Sequence, residues 1–308
     1  MSPRPADSSR PLTPADALAR SLRRVSKNRA EALDSLDAAP VHDLRVALRR
    51  CRSLAEGFAT LDKHRDWRRM RKVARNLQDG LGKLRDAQVM ARGVHRLQLT
   101  EGPAGAAVAN SLRRDERKGR KAALRALEDF PRKRWKTWRR RLPKRARRVT
   151  TGPACFATLC LQRAAEAAAR ERRWRGSQSH LAAHSLRIAV KHFRYTLEGF
   201  LPEEYAAWER DLKRMQDCLG EIHDLDVLRG WTLQVVKKES LPKESVHAWM
   251  ERIASAREQR VQRYKKLVSA GGGGAAGSKR AEGQWDRWRR EIGRVAAVNP
   301  PNRAGVWE

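Results

Sequence analysis

Two stretches of the chain place a histidine and three cations at identical intervals. The first runs His42-Asp-Leu-Arg45-Val-Ala-Leu-Arg49-Arg-Cys-Arg52 and continues to Glu56-Gly57-Phe58. The second runs His184-Ser-Leu-Arg187-Ile-Ala-Val-Lys191-His-Phe-Arg194 and continues to Glu198-Gly199-Phe200. On a helix, positions i, i+3, i+7 and i+10 fall within an arc of about 80° and span about 15 Å. Each copy therefore carries one stripe of positive groups and no acid within it. Leu44, Leu48, Cys51, Ala55 and Phe58 lie opposite the first stripe; Leu186, Val190, Phe193, Leu197 and Phe200 lie opposite the second. A solvated helix face normally mixes both signs of charge. Arginine offers phosphate a planar fork of donors, lysine a mobile point charge, and histidine a donor whose pKa an anion raises. The chemistry predicted is the binding of a partner with negative charge at regular intervals.

Other cations extend this surface in matched pairs. Lys72 answers to Arg210 and Arg75 to Lys213, while Arg117 and Arg120 answer to Arg260 and Arg263. From Arg113 to Arg148, 18 of 36 residues are basic and 4 acidic, which makes this the strongest local field. Lys144-Arg145-Ala146-Arg147-Arg148 alone has the composition of a nucleic-acid patch. Asp86 and Asp224 stand in a shared Leu-Gly-x-[Leu/Ile]-x-Asp motif and are expected to cap or orient the helix that follows. No carboxylate cluster accompanies the stripes, so no metal site and no cofactor is expected. Trp135 with Trp138, and Trp285 with Trp288, have the i, i+3 spacing of core positions.

The elements that must hold these residues are helices. Apolar residues recur every three or four positions throughout, and no segment alternates as a strand does. Thr13-Pro14 has the form of an N-cap followed by proline at the first helical position. The matching segments keep their order at offsets of 142, 138, 143 and 150 residues, so the chain reads as an internal duplication with about four helices per copy. The predicted fold is all-α, two antiparallel four-helix bundles. The halves are expected over 12–150 and 151–299, meeting near Thr150-Thr151-Gly152-Pro153. Residues 1–11 and 300–308 are expected to be disordered, and 270–283, with its Gly271–Gly274 run, to be a flexible loop.

A formal net charge of +33, from 68 Lys and Arg against 35 Asp and Glu, requires counterions or a polyanion in a compact fold. Cys51, Cys155, Cys160 and Cys218 lack metal or redox spacing, which suits reduced thiols in the cytoplasm. The N-terminal residues lack the apolar run of a secretory signal, and no stretch is apolar enough to span a membrane.

With its two His-x-x-Arg-x-x-x-[Lys/Arg]-x-x-Arg stripes, each followed by Leu-Gly-x-[Leu/Ile]-x-Asp-x-x-Val, the chain resembles the CHAD family, the conserved histidine α-helical domain. The resemblance runs from about Thr13 to about Val298. It implies two pseudo-symmetric helical bundles around a basic central channel, binding of inorganic polyphosphate without catalysis, and association with polyphosphate granules. The Glu-x-Glu-x-Lys signature of the triphosphatase domain often fused to such proteins is not found, so the chain looks like a stand-alone member. All the matched cations named above are then expected to contact polyphosphate. Two other readings compete. One is a general nucleic-acid binder, suggested by the charge and ten tryptophans. The other is a metal-dependent polyphosphate-processing enzyme that uses a histidine as phospho-acceptor or ligand.

Overall fold

A computed structural model of the chain describes residues 13–100, 102–149, 154–270 and 283–298. The expected disordered ends, the junction at 150–153 and the core of the 270–283 loop lie outside the described residues. Those described form eleven α-helices and one short 3-10 turn, with no strand among them. The first half contributes α1 (Pro14–Asp34), α2 (Ala38–Leu61), α3 (Arg65–Gly80), α4 (Gly82–Arg96), α5 (Gly102–Glu128) and α6 (Arg132–Val149). The second contributes α7 (Ala154–Ser177), α8 (His180–Phe200), α9 (Pro202–Lys238), the turn Lys243–Val246, α10 (His247–Ala270) and α11 (Gln284–Val298). Each half thus has a leading helix, α1 or α7, beyond the four expected. Thr13 caps α1 as predicted, its Oγ1 accepting from the Asp16 N–H at 3.2 Å.

One segment differs between the halves. Where α9 continues for 37 residues, the equivalent stretch breaks into α3 and α4 at Gly80-Leu81-Gly82. Two glycines in three residues weaken a helix, and the second half has Cys218 in place of the first of them. Asp224 therefore sits deep inside a continuous helix and Asp86 in the second turn of α4. Neither caps a helix, which corrects the sequence expectation.

Apolar burial is divided among three clusters. Helices α1, α2, α3 and α6 enclose the first, around Leu18, Leu48, Trp67, Trp135 and Trp138. Helices α7, α8, α11 and the first half of α9 enclose the second, around Trp174, Phe193, Trp208 and Trp288. The third joins α4 and α5 to the later turns of α9 and the start of α10, through Met90, Val108, Leu228 and Trp249. The halves thus share a core, and the arrangement is not two separate bundles. Cys51, Cys160 and Cys218 are buried and free, so none closes a disulfide. The paired tryptophans are core residues, as their spacing predicts.

The halves also meet directly through α2 and α8. Contacts advance together along both helices, from Arg49 with Tyr195, through Arg50 with Glu198, to Gly57 beside Phe200, so the two run in the same direction. Their closest approach is at the repeated Glu-Gly-Phe. A Cβ on Gly57 would lie 2.3 Å from the Phe200 ring, and one on Gly199 would lie 2.6 Å from Leu54 Cδ2. Phe200 in turn stacks on Phe156 at 4.1 Å between centroids and meets Phe58 edge-on at 5.4 Å. Gly57→Ala should lower stability by about 1–3 kcal/mol through overpacking. Gly230→Ala, a helical site with nothing near its Cβ position, should be neutral or gain up to about 1 kcal/mol. Paired urea titrations of the two variants check the contrast.

Candidate anion-binding site

Helices α2 and α8 turn their cation stripes toward one cavity of about 350 Å³. Arg45, Arg49 and Arg52 enter it from α2, and His184, Arg187 and Lys191 from α8. Gln78 closes one side from α3, and Leu159 and Arg163 close another from α7. Glu56 is the sole acidic side chain on the wall, and Arg163 already pairs with it at 2.5 Å.

Several cations are held in place by neutral groups. Arg45 donates to the neutral Gln78 carbonyl at 2.6 Å. Arg49 donates to Tyr195 Oη at 3.3 Å, with its guanidinium over that ring. Arg52 donates to Gln78 Oε1 at 3.2 Å, and in the second half Arg194 donates to Gln216 Oε1 at 3.1 Å. The two glutamines are equivalent in the sequence register, so the matched stripes anchor the same arginine in the same way. The Nε of Arg187 is buried and has no hydrogen-bond partner among the described residues.

Burial and mutual repulsion shift these groups in one direction. Burial, then Arg49, brings Arg45 down to about 10. Burial, then Arg187 and Arg49, holds Lys191 well below the ordinary lysine range. The histidines follow. His42 is exposed at its edge, yet desolvation, then Arg85 and Arg49, bring it down to about 4. His184 is lowered by burial, Arg187 and Lys191. Its Nδ1 lies 3.3 Å from His223 Nδ1, and burial, then Arg187, brings His223 down to about 3. A site whose bases resist protonation in the free protein is short of negative charge.

Two carboxylates face this field from the helices behind it. Asp86 interacts with Arg45, Arg187 and Arg85, and Asp224 with Arg187, Lys191, Arg85 and Arg92. Burial raises both pKa values and the neighbouring cations pull them back. The expectation of stripes free of acidic company is therefore corrected: one aspartate from each half stands within the cation cluster. Among the described residues, no three His, Cys, Asp or Glu side chains group as a metal site.

The remaining predicted residues scatter. His42 and Arg194 do not line the cavity. Lys72, Arg75, Arg117, Arg120, Arg210, Lys213 and Arg263 are exposed on α3, α5, α9 and α10. Arg75 pairs with Asp79, Arg120 with Glu116, and Arg260 with Glu221 at 3.0 Å, so each already has an acidic neighbour. The sequence reading missed Arg85 and His223, which occupy equivalent positions beside Asp86 and Asp224. Their signal lay in the motif itself, since both copies put a basic residue immediately before the aspartate.

The helical fold that carries these stripes has known counterparts. The model of the CHAD domain family matches residues 16–233. The chain belongs to the CHAD domain family. The match stops within α9, so α10 and α11 lie beyond it. The crystal structure of the CHAD domain from the plant Ricinus communis is similar over 91% of this chain and 92% of that one, at 20% identity and a TM-score of 0.61. PptA from Streptomyces chartreusis is similar over 82% of this chain and 98% of that one, at 16% identity and a TM-score of 0.59. At such identities the likeness establishes the fold. No curated protein matches the sequence.

The electrostatics give a stability prediction. Lys191, with its folded pKa depressed, weakens the fold at neutral pH and stops doing so as pH rises through its unfolded value. Lys191→Met should raise the melting temperature of the unliganded protein by roughly 2–4 °C at pH 7. The gain should shrink near pH 10. Thermal melts at the two pH values test this.

Proposed function

We propose that this protein binds inorganic polyphosphate without processing it, and that the binding targets it to polyphosphate granules. The observation that carries the reading is the convergence of five arginines and one lysine, from α2, α7 and α8, on one cavity whose single carboxylate is already paired. A thin chain with about one negative charge per unit can run between the stripes, each phosphate meeting cations from both helices. The cavity is then part of a basic channel between the two halves. Charge-assisted hydrogen bonds and counterion release drive association. Membership of a family whose members bind polyphosphate supports the same reading.

General nucleic-acid binding fits less well. Of the nine tryptophans among the described residues, eight are buried, and Trp231 is half-buried with its indole N–H on Asp115 at 3.0 Å. Base stacking needs exposed rings. No helix among the described residues is long and apolar enough to cross a membrane.

Reversing charge at Arg45 and Arg187 together should weaken long-chain polyphosphate binding at least about 100-fold with helicity intact, since each removed contact is worth about 1.5–3 kcal/mol. Calorimetry with circular dichroism decides it, and unchanged affinity removes the stripes from the site. Ready displacement by duplex DNA at equal charge and about 150 mM salt would likewise overturn the reading. Phosphate release with Mg²⁺ or Mn²⁺, lost in His42→Ala or His184→Ala, would make the protein an enzyme.

Binding should also depend on pH. His184, depressed in the free protein and lining the cavity, gains an anionic neighbour in the complex, so its pKa is higher bound than free and binding takes up protons. Affinity should rise as pH falls from 8 towards 5, visible as buffer-dependent heats in calorimetry.

A further inference from the structure

Away from the cavity, α6 carries eleven basic residues in eighteen and no acid. Its counterpart α11 has Asp286 and Glu291, both engaged by its own arginines. Two ion pairs anchor α6, Arg145 on Asp62 and Arg147 on Asp16. Lys133, Arg134, Lys136 and Arg141 are exposed and have no acidic partner among the described residues. The helix is fixed from beneath: Trp135 and Trp138 are buried, and Trp135 Nε1 donates to the Leu22 carbonyl at 3.2 Å. The helix that carries these charges is thereby held in position.

They also line concave surfaces. One groove of about 480 Å³, between α1 and α6, is bordered by Arg29, Arg132, Lys133, Lys136 and Arg139. A second of about 420 Å³, between the start of α3 and α6, is bordered by Arg65, Arg69, Lys133, Arg134 and Arg141, with Asp66 its one acid. Lys133 stands on the ridge between them. From Arg65 in this groove to Gln78 in the central cavity is about 20 Å along α3, so the two regions are separate.

We propose that the α6 face is a second, outer binding surface for a polyphosphate chain, so that one molecule holds two segments and bridges chains. This rests on the reading of the central cavity as a polyphosphate site. Grooves a few hundred Å³ in volume admit a thin flexible strand, whereas the phosphates of a nucleic-acid duplex lie on a rigid cylinder wider than a helix. Bridging needs both sites to act independently, and each then raises the effective concentration of chain at the other.

The test compares the quadruple variant Lys133→Gln, Arg134→Gln, Lys136→Gln, Arg141→Gln with the Arg45 and Arg187 charge reversal, in the full chain. Two readouts are used: calorimetry with a short oligophosphate, and light scattering with long-chain polyphosphate. The quadruple variant should bind the oligophosphate as wild type does and lose about tenfold in chain-bridging scattering. The cavity variant, weakened about 100-fold toward long chains, should keep a residual salt-sensitive affinity for them that disappears when the two sets are combined. Wild-type scattering from the quadruple variant overturns the proposal. So does a tenfold loss of duplex DNA affinity in that variant with bridging intact, which would assign the face to nucleic acid. If charge reversal in the cavity spares oligophosphate binding, the central reading fails instead, and the long-chain affinity of the quadruple variant, lost or kept, still decides the α6 face.

Discussion

The close approach of α2 and α8 governs this structure. Without side chains at Gly57 and Gly199, the two helices come near enough for Phe58, Phe156 and Phe200 to pack between the halves. The same approach brings two rows of like charge to one cavity. Repulsion among Arg45, Arg49, Arg187 and Lys191 opposes it, and apolar burial at the glycine end outweighs that repulsion. Neutral acceptors from Gln78 and Tyr195 fix the guanidinium groups without cancelling their charge.

On the function proposed above, such a site is organised for an anion before one arrives. Asp86 and Asp224 supply part of the missing negative charge, one from each half, and temper the field without neutralising it. Their cost is competition, since they attract the cations that an incoming phosphate needs. A ligand with several phosphates displaces that influence more effectively than a single ion, because its later contacts are intramolecular. The balance between fold stability and ligand affinity is thus set within one cluster of side chains.

Much of this was legible in the sequence. The period of Leu44, Leu48 and Cys51 fixed the buried face of α2, and with it the direction of the arginines. The repeat located the equivalent helix, and its shared glycine stood in the motif from the start. What could not be read was which helices would stand behind the stripes. Asp86 and Asp224 are expected from sequence to cap or orient a following helix, yet Ile222 and Leu225 carry α9 straight past Asp224, and Asp86 lies beyond the start of α4. Arg194 and Arg52 are equivalent in sequence, but only Arg52 borders the cavity, a difference that depends on packing far along the chain.

The third apolar cluster bears on how the duplicated halves behave as matter. Helix α9 begins in the core of the second half and ends against Met90, Val94 and Val108 of the first. Parting the halves would strip water-excluded surface from both, so neither can swing away as a rigid body on a hinge. On the proposed function, a polymer lodged between α2 and α8 enters and leaves lengthwise or through the cavity mouth, and its escape slows with every further unit inside.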